Sequence, residues 1–333
     1  MLLKDDTSPI QKHSHDCSRL MTKLQTDISA IIVTWNSSQW ITNCLRSLIK
    51  DFNSFYYKIV VVDNASTDKT ADLIQENFPD VILIKNTLNE GFARACNKAL
   101  LECQSEYVLF VNPDTQVIPG MTDTLVTFMK EHPEAGAIGP TLLNTDGSLQ
   151  LSGNTFPSLR NIWCESLFLD RLFPNTRFFG SHKLSHLNRS EVCKVDWTMG
   201  SCLFARKEAL DKTGSFDDRF FLFFEETDLC LRLKKAGYEI YIIPEAKIVH
   251  GGGSSQLKNY SANKIIHYHR SLFYYFNKNL PAQLLWVRVA IFIRSVVRIL
   301  TWLSLYPYQA QTAREKLKGY WEVVKLCLLF QIK

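Results

Sequence analysis

The sequence contains no C-x-x-C pair, and its nine cysteines are scattered through 333 residues. Most lie in apolar segments and their number is odd, which argues against a disulfide framework and against a zinc site. We therefore expect reduced, buried thiols in a cytoplasmic protein. The N-terminus lacks the apolar stretch of a signal peptide, and we expect Met1–Thr26 to form a flexible leader.

The chain also lacks a large excess of either sign of charge. The formal net charge is +5 at pH 7, an excess too small to indicate a nucleic-acid partner, and we expect none. Hydrophobic residues make up 46% of the chain, which is enough for a sizeable core. We expect an α/β domain over residues 27–258 after the leader, followed by a C-terminal helical extension over residues 259–333.

Short apolar runs alternate with helical patterns in the first third of the chain. This alternation predicts a doubly wound, Rossmann-like and mostly parallel sheet flanked by helices. Helices are expected at about residues 38–49 and from the stretch that begins at Asn89 to about residue 103. The predicted strands are Ile28–Trp35, Lys58–Val62, Val81–Ile84 and the run that begins at Tyr107.

Polar side chains follow these strands at the edge where open α/β sheets bind ligands. In Y-V-L-F-V-N-P-D, Pro113 cannot donate to a sheet ladder, so the strand should end there and leave Asn112 and Asp114 at the edge. Oxygen ligands beside a phosphate are those that Mg²⁺ or Mn²⁺ prefers. Taken alone, the stretch is also compatible with an ordinary turn. Asp63 ends the second strand in the same way.

Two later segments carry further candidate groups. Glu225 and Glu226 directly follow an aromatic run, so at least one should lie in a partly desolvated cleft and suit general-base catalysis. Asp228 is expected to favour the dipole of the helix that begins there. His250 precedes a glycine-rich turn and is a candidate third metal ligand, although a lone histidine is more often structural.

Taken together, the motifs resemble the inverting glycosyltransferases of family 2, which have the GT-A fold, and especially the rhamnosyltransferase-like branch. They occur in the family's order between Ile28 and Ser255. The matching pieces are V-T-W-N-S, V-V-D-N-A-S-T-D, N-E-G-F-A-R-A-C-N, N-P-D, D-W-T-M-G-S, F-D-D-R-F-F-L-F-F-E-E-T-D-L-C and V-H-G-G-G-S-S.

The resemblance implies a role for each matching residue. Asn112 and Asp114 occupy the D-x-D metal positions, with asparagine replacing the first aspartate, and His250 would complete a Mg²⁺ or Mn²⁺ site. Glu225 and Glu226 replace the Glu-Asp pair; Glu226 matches the aspartate, and either could be the base. The implied donor residues are Thr34 and Asn36 near the nucleotide, Asp63 on the base or ribose, Asn89, Gly91 and Asn97 around the pocket, and Arg94 on phosphate. Those implied at the sugar and acceptor are Asp196, Trp197 and Gly200.

The implied reaction moves a sugar from a nucleotide-diphosphate donor to an acceptor hydroxyl with inversion. Deoxythymidine-diphosphate rhamnose is the first expectation for the donor, followed by uridine-diphosphate hexoses. A sugar nucleotidyltransferase is an alternative, but its G-x-G-x-R loop is absent after the first strand, where Trp35-Asn36-Ser37-Ser38 stands. A non-catalytic sugar- or membrane-binding protein of the same fold is a third possibility.

A long apolar helix is predicted over Gln283–Leu305, with a second one over about residues 310–331. Arg288, Arg294 and Arg298 fall on one third of its circumference, where we expect them to meet anionic headgroups. This favours a helix lying in a membrane interface over one that spans. The opposite face carries Leu285, Val289, Phe292, Val296 and Ile299. A core helix is the alternative. We expect a peripheral protein on the inner face of the cell membrane, with a lipid-linked glycan acceptor used in cell-surface polysaccharide synthesis.

Overall fold

A mixed sheet of ten strands forms the centre of the protein. The computed structural model describes residues 27–173, 176, 178–179, 190–251 and 261–329. The predicted leader and the predicted domain boundary at residue 258 lie outside these residues.

The first half of the sheet is parallel and has the order β3-β2-β1-β4. Its strands are β1 (Ile28–Thr34), β2 (Tyr57–Asp63), β3 (Ile82–Lys85) and β4 (Tyr107–Val111). Helices α1 (Ile41–Asp51), α2 (Thr70–Asn77) and α3 (Phe92–Leu100) connect them. Because helices cover both faces, the central strands are mostly apolar and mostly buried. The predicted alternation of strands and helices is confirmed.

The second half continues from β4 through an antiparallel strand, β11, to β6, β12 and β5. The remaining strands are β5 (Thr115–Val117), β6 (Ala135–Leu143), β7 (Leu149–Gln150), β8 (Gly153–Asn154), β9 (Cys193–Val195), β10 (Trp197–Thr198), β11 (Cys202–Arg206) and β12 (Glu239–His250). The helices among them are α4 (Met121–Glu131), α5 (Leu159–Ser166), α6 (Leu169–Leu172), α7 (Lys207–Thr213) and α8 (Glu225–Lys235).

Strand β12 continues past Pro244 as far as His250. The pairing with β6 shifts register between Ile243 and Lys247, and Pro244 lies within that shift. Proline is tolerated at such an irregularity because no ladder hydrogen bond is required of it there. The strand therefore resumes and carries His250 to the ligand edge.

Two apolar clusters fill the space between the sheet and its helices, one on each face. The eight cysteines in the described residues are all free, and seven of them are buried. They act as small apolar residues of the core, in agreement with the predicted reduced thiols.

The C-terminal extension consists of α9 (Ala262–Asn279), a 3-10 turn (Pro281–Gln283), α10 (Leu284–Leu305) and α11 (Ala310–Leu329). It shares a third apolar cluster with the segment before α8, in which Phe220 and Phe224 pack with Ile265, Leu272 and Tyr275. Within the described part of the chain, no helix is both long and apolar enough to cross a bilayer.

The arginines of α10 point toward the protein, so the prediction that they face lipid headgroups is wrong. Arg288 donates to the Cys327 carbonyl at 2.7 Å, and Arg294 lies 3.5 Å from a Glu165 oxygen. The Arg298 guanidinium lies 4.9 Å from the centre of the Phe168 ring. These partners on neighbouring helices outweigh the attraction of solvent for the guanidinium groups. The exposed side of α10 is instead apolar and includes Leu285, Val289, Ile293, Val296, Val297, Leu300 and Leu303.

Candidate active site

A cleft of about 690 Å³ opens at the carboxyl ends of β1, β2 and β4. Six of the residues proposed from the sequence line it: Thr34, Asn36, Asn89, Gly91, Asn112 and Asp114. Sequence reasoning missed several others, including Trp35, Trp40, Phe221, Lys264 and His267. The ring of Trp35 follows β1 directly and is 58% exposed, so a flat nucleobase could stack on it.

Asp63 organises the loops beside the cleft but does not line it. Its Oδ1 atom accepts a hydrogen bond from Thr34 Oγ1 at 2.9 Å, and its Oδ2 atom accepts from the Ser66 amide at 3.0 Å. The carboxylate is buried and thus joins the ends of β1 and β2. Asn36 extends this link, because its side-chain oxygen accepts from the Thr67 amide at 2.8 Å.

Gly91 permits a close backbone approach that shapes the cleft floor. Its φ is +86°, and a Cβ atom there would clash with the Phe221 carbonyl oxygen. That same oxygen accepts from the Phe92 amide at 2.8 Å, while Asn89 accepts from the Gly91 amide at 3.0 Å. The glycine therefore docks the start of α3 onto the segment that leads to Glu225.

Two predicted donor residues have partners elsewhere. The side-chain nitrogen of Asn97 donates to the Phe216 carbonyl at 2.8 Å, and its side-chain oxygen accepts from the Phe216 amide at 3.1 Å. Arg94 is exposed and lies 3.6 Å from Asp218. Neither is among the residues that line the cleft.

Lys264 is a cation that does line the cleft. Burial lowers the pKa of this lysine, and the negative charge of Asp114 opposes the shift. It lies in the first turn of α9, whose Ser261 cap accepts from the Lys264 amide at 3.4 Å. In the sequence, Ser261 signals that a helix begins here. The position of that helix end beside Asp114 depends on the fold and cannot be read from the sequence.

Asp114 and His250 meet because β5 pairs antiparallel with β12, which sets His250 opposite Thr115. The Gly251 amide also donates to the Asp114 carbonyl at 2.7 Å. His250 Nε2 lies 3.4 Å from Asp114 Oδ1, and His250 Nδ1 lies 3.0 Å from Gln150 Oε1. Buried Nε2 makes no hydrogen bond.

This geometry fits a cation between the imidazole and the carboxylate. If Nδ1 donates to Gln150, the lone pair of neutral Nε2 faces a carboxylate oxygen, and a cation removes that repulsion. No group of three His, Cys, Asp or Glu side chains suited to a metal occurs among the described residues. The side chain of Asn112 and phosphate oxygens of a donor would have to supply further ligands.

The acidic pair begins α8 after two strained residues, Phe223 and Phe224, whose φ values are 71° and 69°. Such conformations cost about 1–3 kcal/mol each and concentrate at functional sites. Glu225 is buried; burial and the adjacent Glu226 raise its pKa well above the ordinary value. Burial also raises the pKa of Glu226. One carboxyl oxygen of each residue is buried without a hydrogen-bond partner.

The predicted acceptor residues lie on the Glu226 side of the site. A Cβ atom on Gly200 would be 3.7 Å from the Glu226 carboxyl carbon, and a hydrogen bond from the Gly200 amide limits the rise of the Glu226 pKa. Trp197 donates to the Thr155 carbonyl at 2.9 Å. Asp196 accepts from the Phe156 amide at 2.9 Å, so its carboxylate holds the turn in place.

Solved structures support the fold. The mannosyltransferase PcManGT from Pyrobaculum calidifontis, solved with GDP-Man and Mn²⁺, aligns with a TM-score of 0.53 over 96% of this chain and 97% of its own, at 16% identity. GalNAc-T7, solved with UDP, GalNAc and Mn²⁺, aligns with a TM-score of 0.52 over 68% of this chain and 43% of its own, at 14% identity. At these identities the likenesses support the fold alone, and they agree with the GT-A architecture that the sequence resemblance implied.

The sequence comparisons identify the family. The model for glycosyl transferase family 2 matches residues 29–212, and the chain belongs to that family. N-acetylglucosaminyl-diphospho-decaprenol L-rhamnosyltransferase from Mycobacterium tuberculosis is 30% identical over 65% of this chain and 73% of its own length. The dTDP-rhamnosyl transferase RfbF from Shigella flexneri is 27% identical over 81% of this chain and 86% of its own.

Proposed function

We propose that the protein is a metal-dependent, inverting rhamnosyltransferase that acts on a lipid-linked saccharide. The observation that carries this proposal is the arrangement of two sets of charged groups. Asp114, His250 and Lys264 gather at the strand-end cleft, whereas the desolvated Glu226 lies against the turn that carries Trp197 and Gly200. This arrangement separates groups suited to a diphosphate from a group suited to an acceptor hydroxyl.

The donor would lie in the cleft with its nucleoside near Trp35 and Asn36 and its diphosphate near Lys264. Asp114, His250 and the side chain of Asn112 would hold Mg²⁺ or Mn²⁺, which when bound neutralises charge on the leaving diphosphate. Lys264 contributes a positive charge of its own at a partly desolvated position, where its attraction for phosphate is stronger than in water.

Glu226 would accept the proton of the acceptor hydroxyl. The hydroxyl oxygen forms the new bond to the anomeric carbon as the bond from that carbon to the diphosphate oxygen breaks. Attack from the opposite face inverts the anomeric configuration, and no covalent enzyme intermediate forms. A raised carboxyl pKa suits this role, because a base with a pKa nearer the working pH is a stronger proton acceptor.

The two relatives support rhamnose as the sugar, because both are named for rhamnosyl transfer and one for a dTDP donor. The Mycobacterium tuberculosis relative is named for an acceptor linked to decaprenol through a diphosphate. We infer the same classes of donor and acceptor here: deoxythymidine-diphosphate rhamnose and a lipid-linked glycan.

The exposed apolar side of α10 supports a peripheral position on the membrane that holds such an acceptor. The rings of Trp286 on the same helix and of Trp321 on α11 are also exposed, and indole rings favour the depth of the headgroups. Burial of this surface, rather than contact of the arginines with headgroups, would supply the attachment.

Transfer assays test the proposal directly. Purified protein is incubated with Mn²⁺ or Mg²⁺, each of several nucleotide sugars and a short-chain N-acetylglucosaminyl diphosphate lipid. We expect a rhamnosylated product from the deoxythymidine donor, inverted configuration by NMR, and loss of product on addition of a chelator. Retained configuration, or undiminished transfer after complete metal removal, would contradict the mechanism.

A further inference from the structure

A second cavity, of about 240 Å³, lies on the acceptor side of the protein. It lies between α5 and α6 on one side and α9 and α10 on the other. The residues that line it are Asn154, Glu165, Phe168, Asp170, Arg171, Trp197, Tyr268, Arg294 and Arg298. No pattern in the sequence groups these residues, and three of them are arginines.

Positive charge exceeds negative charge around this cavity. Arg171, Arg294 and Arg298 face two carboxylates, of which Glu165 lies 3.5 Å from Arg294. The mostly buried Lys316 lies close enough for Arg298 to lower its pKa, although burial has the larger effect. Such a group of cations is unfavourable in a partly desolvated space unless an anion compensates it.

Arg298 carries a donor that the protein leaves unused. Its Nε atom is buried and makes no hydrogen bond, and its guanidinium rests on the ring of Phe168. Burial lowers its pKa, as do the neighbouring charges of Arg294 and Arg171. A planar guanidinium with an unused donor is suited to two oxygens of one phosphate group.

Two contacts join the cavity to the catalytic groups. Trp197 lines the cavity and belongs to the turn whose Gly200 lies against Glu226. Tyr268 also lines it, and its ring centre lies 5.3 Å from that of Phe224, the residue before Glu225. A ligand in the cavity is thus adjacent to the predicted acceptor site.

The cavity also adjoins the exposed apolar surface. Arg294 and Arg298 lie on the same helix as Val296, Val297 and Leu300, and these three side chains are exposed. An amphiphile whose charged group occupies the cavity could therefore extend its hydrocarbon chain toward the apolar side of α10. This order, from catalytic carboxylate to cations to apolar surface, matches the order of sugar, phosphate and lipid in a lipid-linked saccharide.

We infer that Arg171, Arg294 and Arg298 form a binding site for the diphosphate that joins the acceptor sugar to its lipid. The inference rests on the proposed function for the identity of the acceptor. The site is separate from the cleft that would hold the donor diphosphate, so the protein would bind two diphosphates on opposite sides of the reacting hydroxyl.

Acceptor kinetics test the site with two probes that differ only in phosphate. One is a short-chain N-acetylglucosaminyl diphosphate ester, and the other is the matching alkyl glycoside of N-acetylglucosamine. R298A should raise the KM for the diphosphate ester about 10- to 100-fold, as expected for the loss of a charge-assisted hydrogen bond. R298K should recover only part of this loss because lysine lacks the bidentate fork. The KM for the alkyl glycoside should not change.

Two variants control for folding and for general charge. R171Q alters an exposed arginine of the same site, so it should weaken diphosphate binding without a change in thermal unfolding. R314Q removes a positive charge from an exposed position on α11 that does not line the cavity, and it should leave both KM values unchanged. An equal effect of R298A and R171Q on both probes, or no effect on either, would overturn the inference.

Calorimetry separates this inference from the proposed function. With the donor cleft saturated by dTDP and Mn²⁺, the diphosphate ester should bind the wild type and bind R171Q and R298A at least about 10-fold more weakly. That result would uphold the site even if no sugar were transferred. No binding, or equal binding to all three proteins, would refute it whatever the transfer assay showed.

Vesicles distinguish the acceptor from ordinary phospholipid as the source of phosphate. Flotation with phosphatidylglycerol vesicles that contain no acceptor should be the same for wild type, R171Q and R298A. If both variants lost flotation as they lost affinity for the ester, the arginines would be a headgroup site and the inference would be wrong.

Discussion

His250 places its Nε2 atom 3.4 Å from Asp114 Oδ1, and the two residues reach each other only through the pairing of β5 with β12. Asp114 is fixed by the end of β4 and its proline, whereas His250 depends on a strand that continues past Pro244. The pair therefore exists only in the complete sheet.

Asp114→Ala should abolish most metal-dependent transfer and leave the fold intact. His250→Ala should have a smaller effect, because Asp114 and the donor phosphates would still hold the ion. Gln150→Ala should lower metal affinity about 10- to 100-fold, because Gln150 sets the orientation of the histidine. Mn²⁺ titrations of activity and of bound Mn²⁺ by electron paramagnetic resonance measure these effects. Asp146→Ala, at an exposed turn, is the matched control, and unchanged activity of Asp114→Ala at limiting Mn²⁺ would refute the site.

Glu226→Gln should reduce the rate of transfer about 10²- to 10⁴-fold with little change in donor affinity, because it keeps the size of the side chain and removes the base. In the wild type, the transfer rate should rise with pH as Glu226 loses its proton, at a pH above the ordinary pKa of about 4.5. Single-turnover rates over a range of pH measure both effects. Full activity of Glu226→Gln combined with inactivity of Glu225→Gln would assign the base to Glu225.

Glu225→Gln should make the protein more stable at neutral pH. Because its pKa is raised in the folded protein, the folded state holds more protons than the unfolded state, and wild-type stability falls as pH rises above about 4.5. The glutamine variant lacks this loss, so its advantage in unfolding free energy should grow from pH 5 to pH 8. Urea unfolding at several pH values measures it. An advantage that shrinks as pH rises would contradict the assignment of the buried proton.

Lys264→Met should weaken donor binding by about 1.5–3 kcal/mol, the contribution of a hydrogen bond to a charged group. Arg94→Met should have little effect, since Arg94 is exposed beside Asp218. Calorimetric titration with dTDP and Mn²⁺ compares the two, and each variant removes one positive charge. If Arg94→Met alone weakened binding, Arg94 and not Lys264 would contact the phosphate, as the family resemblance implies.

These residues show how far the sequence could predict the site. Asn112, Asp114 and the acidic pair are adjacent to strong apolar runs, and the predicted strand ends place them near a ligand edge. Lys264 could not be found in this way, because its position beside Asp114 depends on the docking of α9. The arginines of α10 show a second limit. Helical periodicity shows which residues share a side, but it does not show whether protein, solvent or lipid lies against that side.

Asp228 illustrates the same limit, since it does more than favour a helix dipole. The Lys278 ammonium on α9 lies 2.8 Å from oxygens of both Asp217 and Asp228. Asp228 is fully buried and also accepts from Arg232 at 2.9 Å. This network, which no local pattern could reveal, fastens the C-terminal extension to the acidic helix α8.

Membrane attachment should depend on the apolar side of α10 and not on its arginines. Ile293, Val297 and Leu300 are 39%, 40% and 62% exposed, and burial of each in the interface should contribute about 1–2 kcal/mol. The triple change I293E, V297E and L300E should therefore lower partitioning onto liposomes at least about 100-fold, as measured by flotation.

The matched control places three glutamates at exposed polar positions, Q309E, Q311E and T312E, and alters net charge equally. Because the control leaves the apolar side intact, it should still float with neutral liposomes. If both triple variants lost flotation with anionic liposomes equally, and the wild type did not float with neutral ones, electrostatic attraction alone would hold the protein to the membrane. A wild-type chain that floats with neither kind of liposome would show that α10 does not bind lipid.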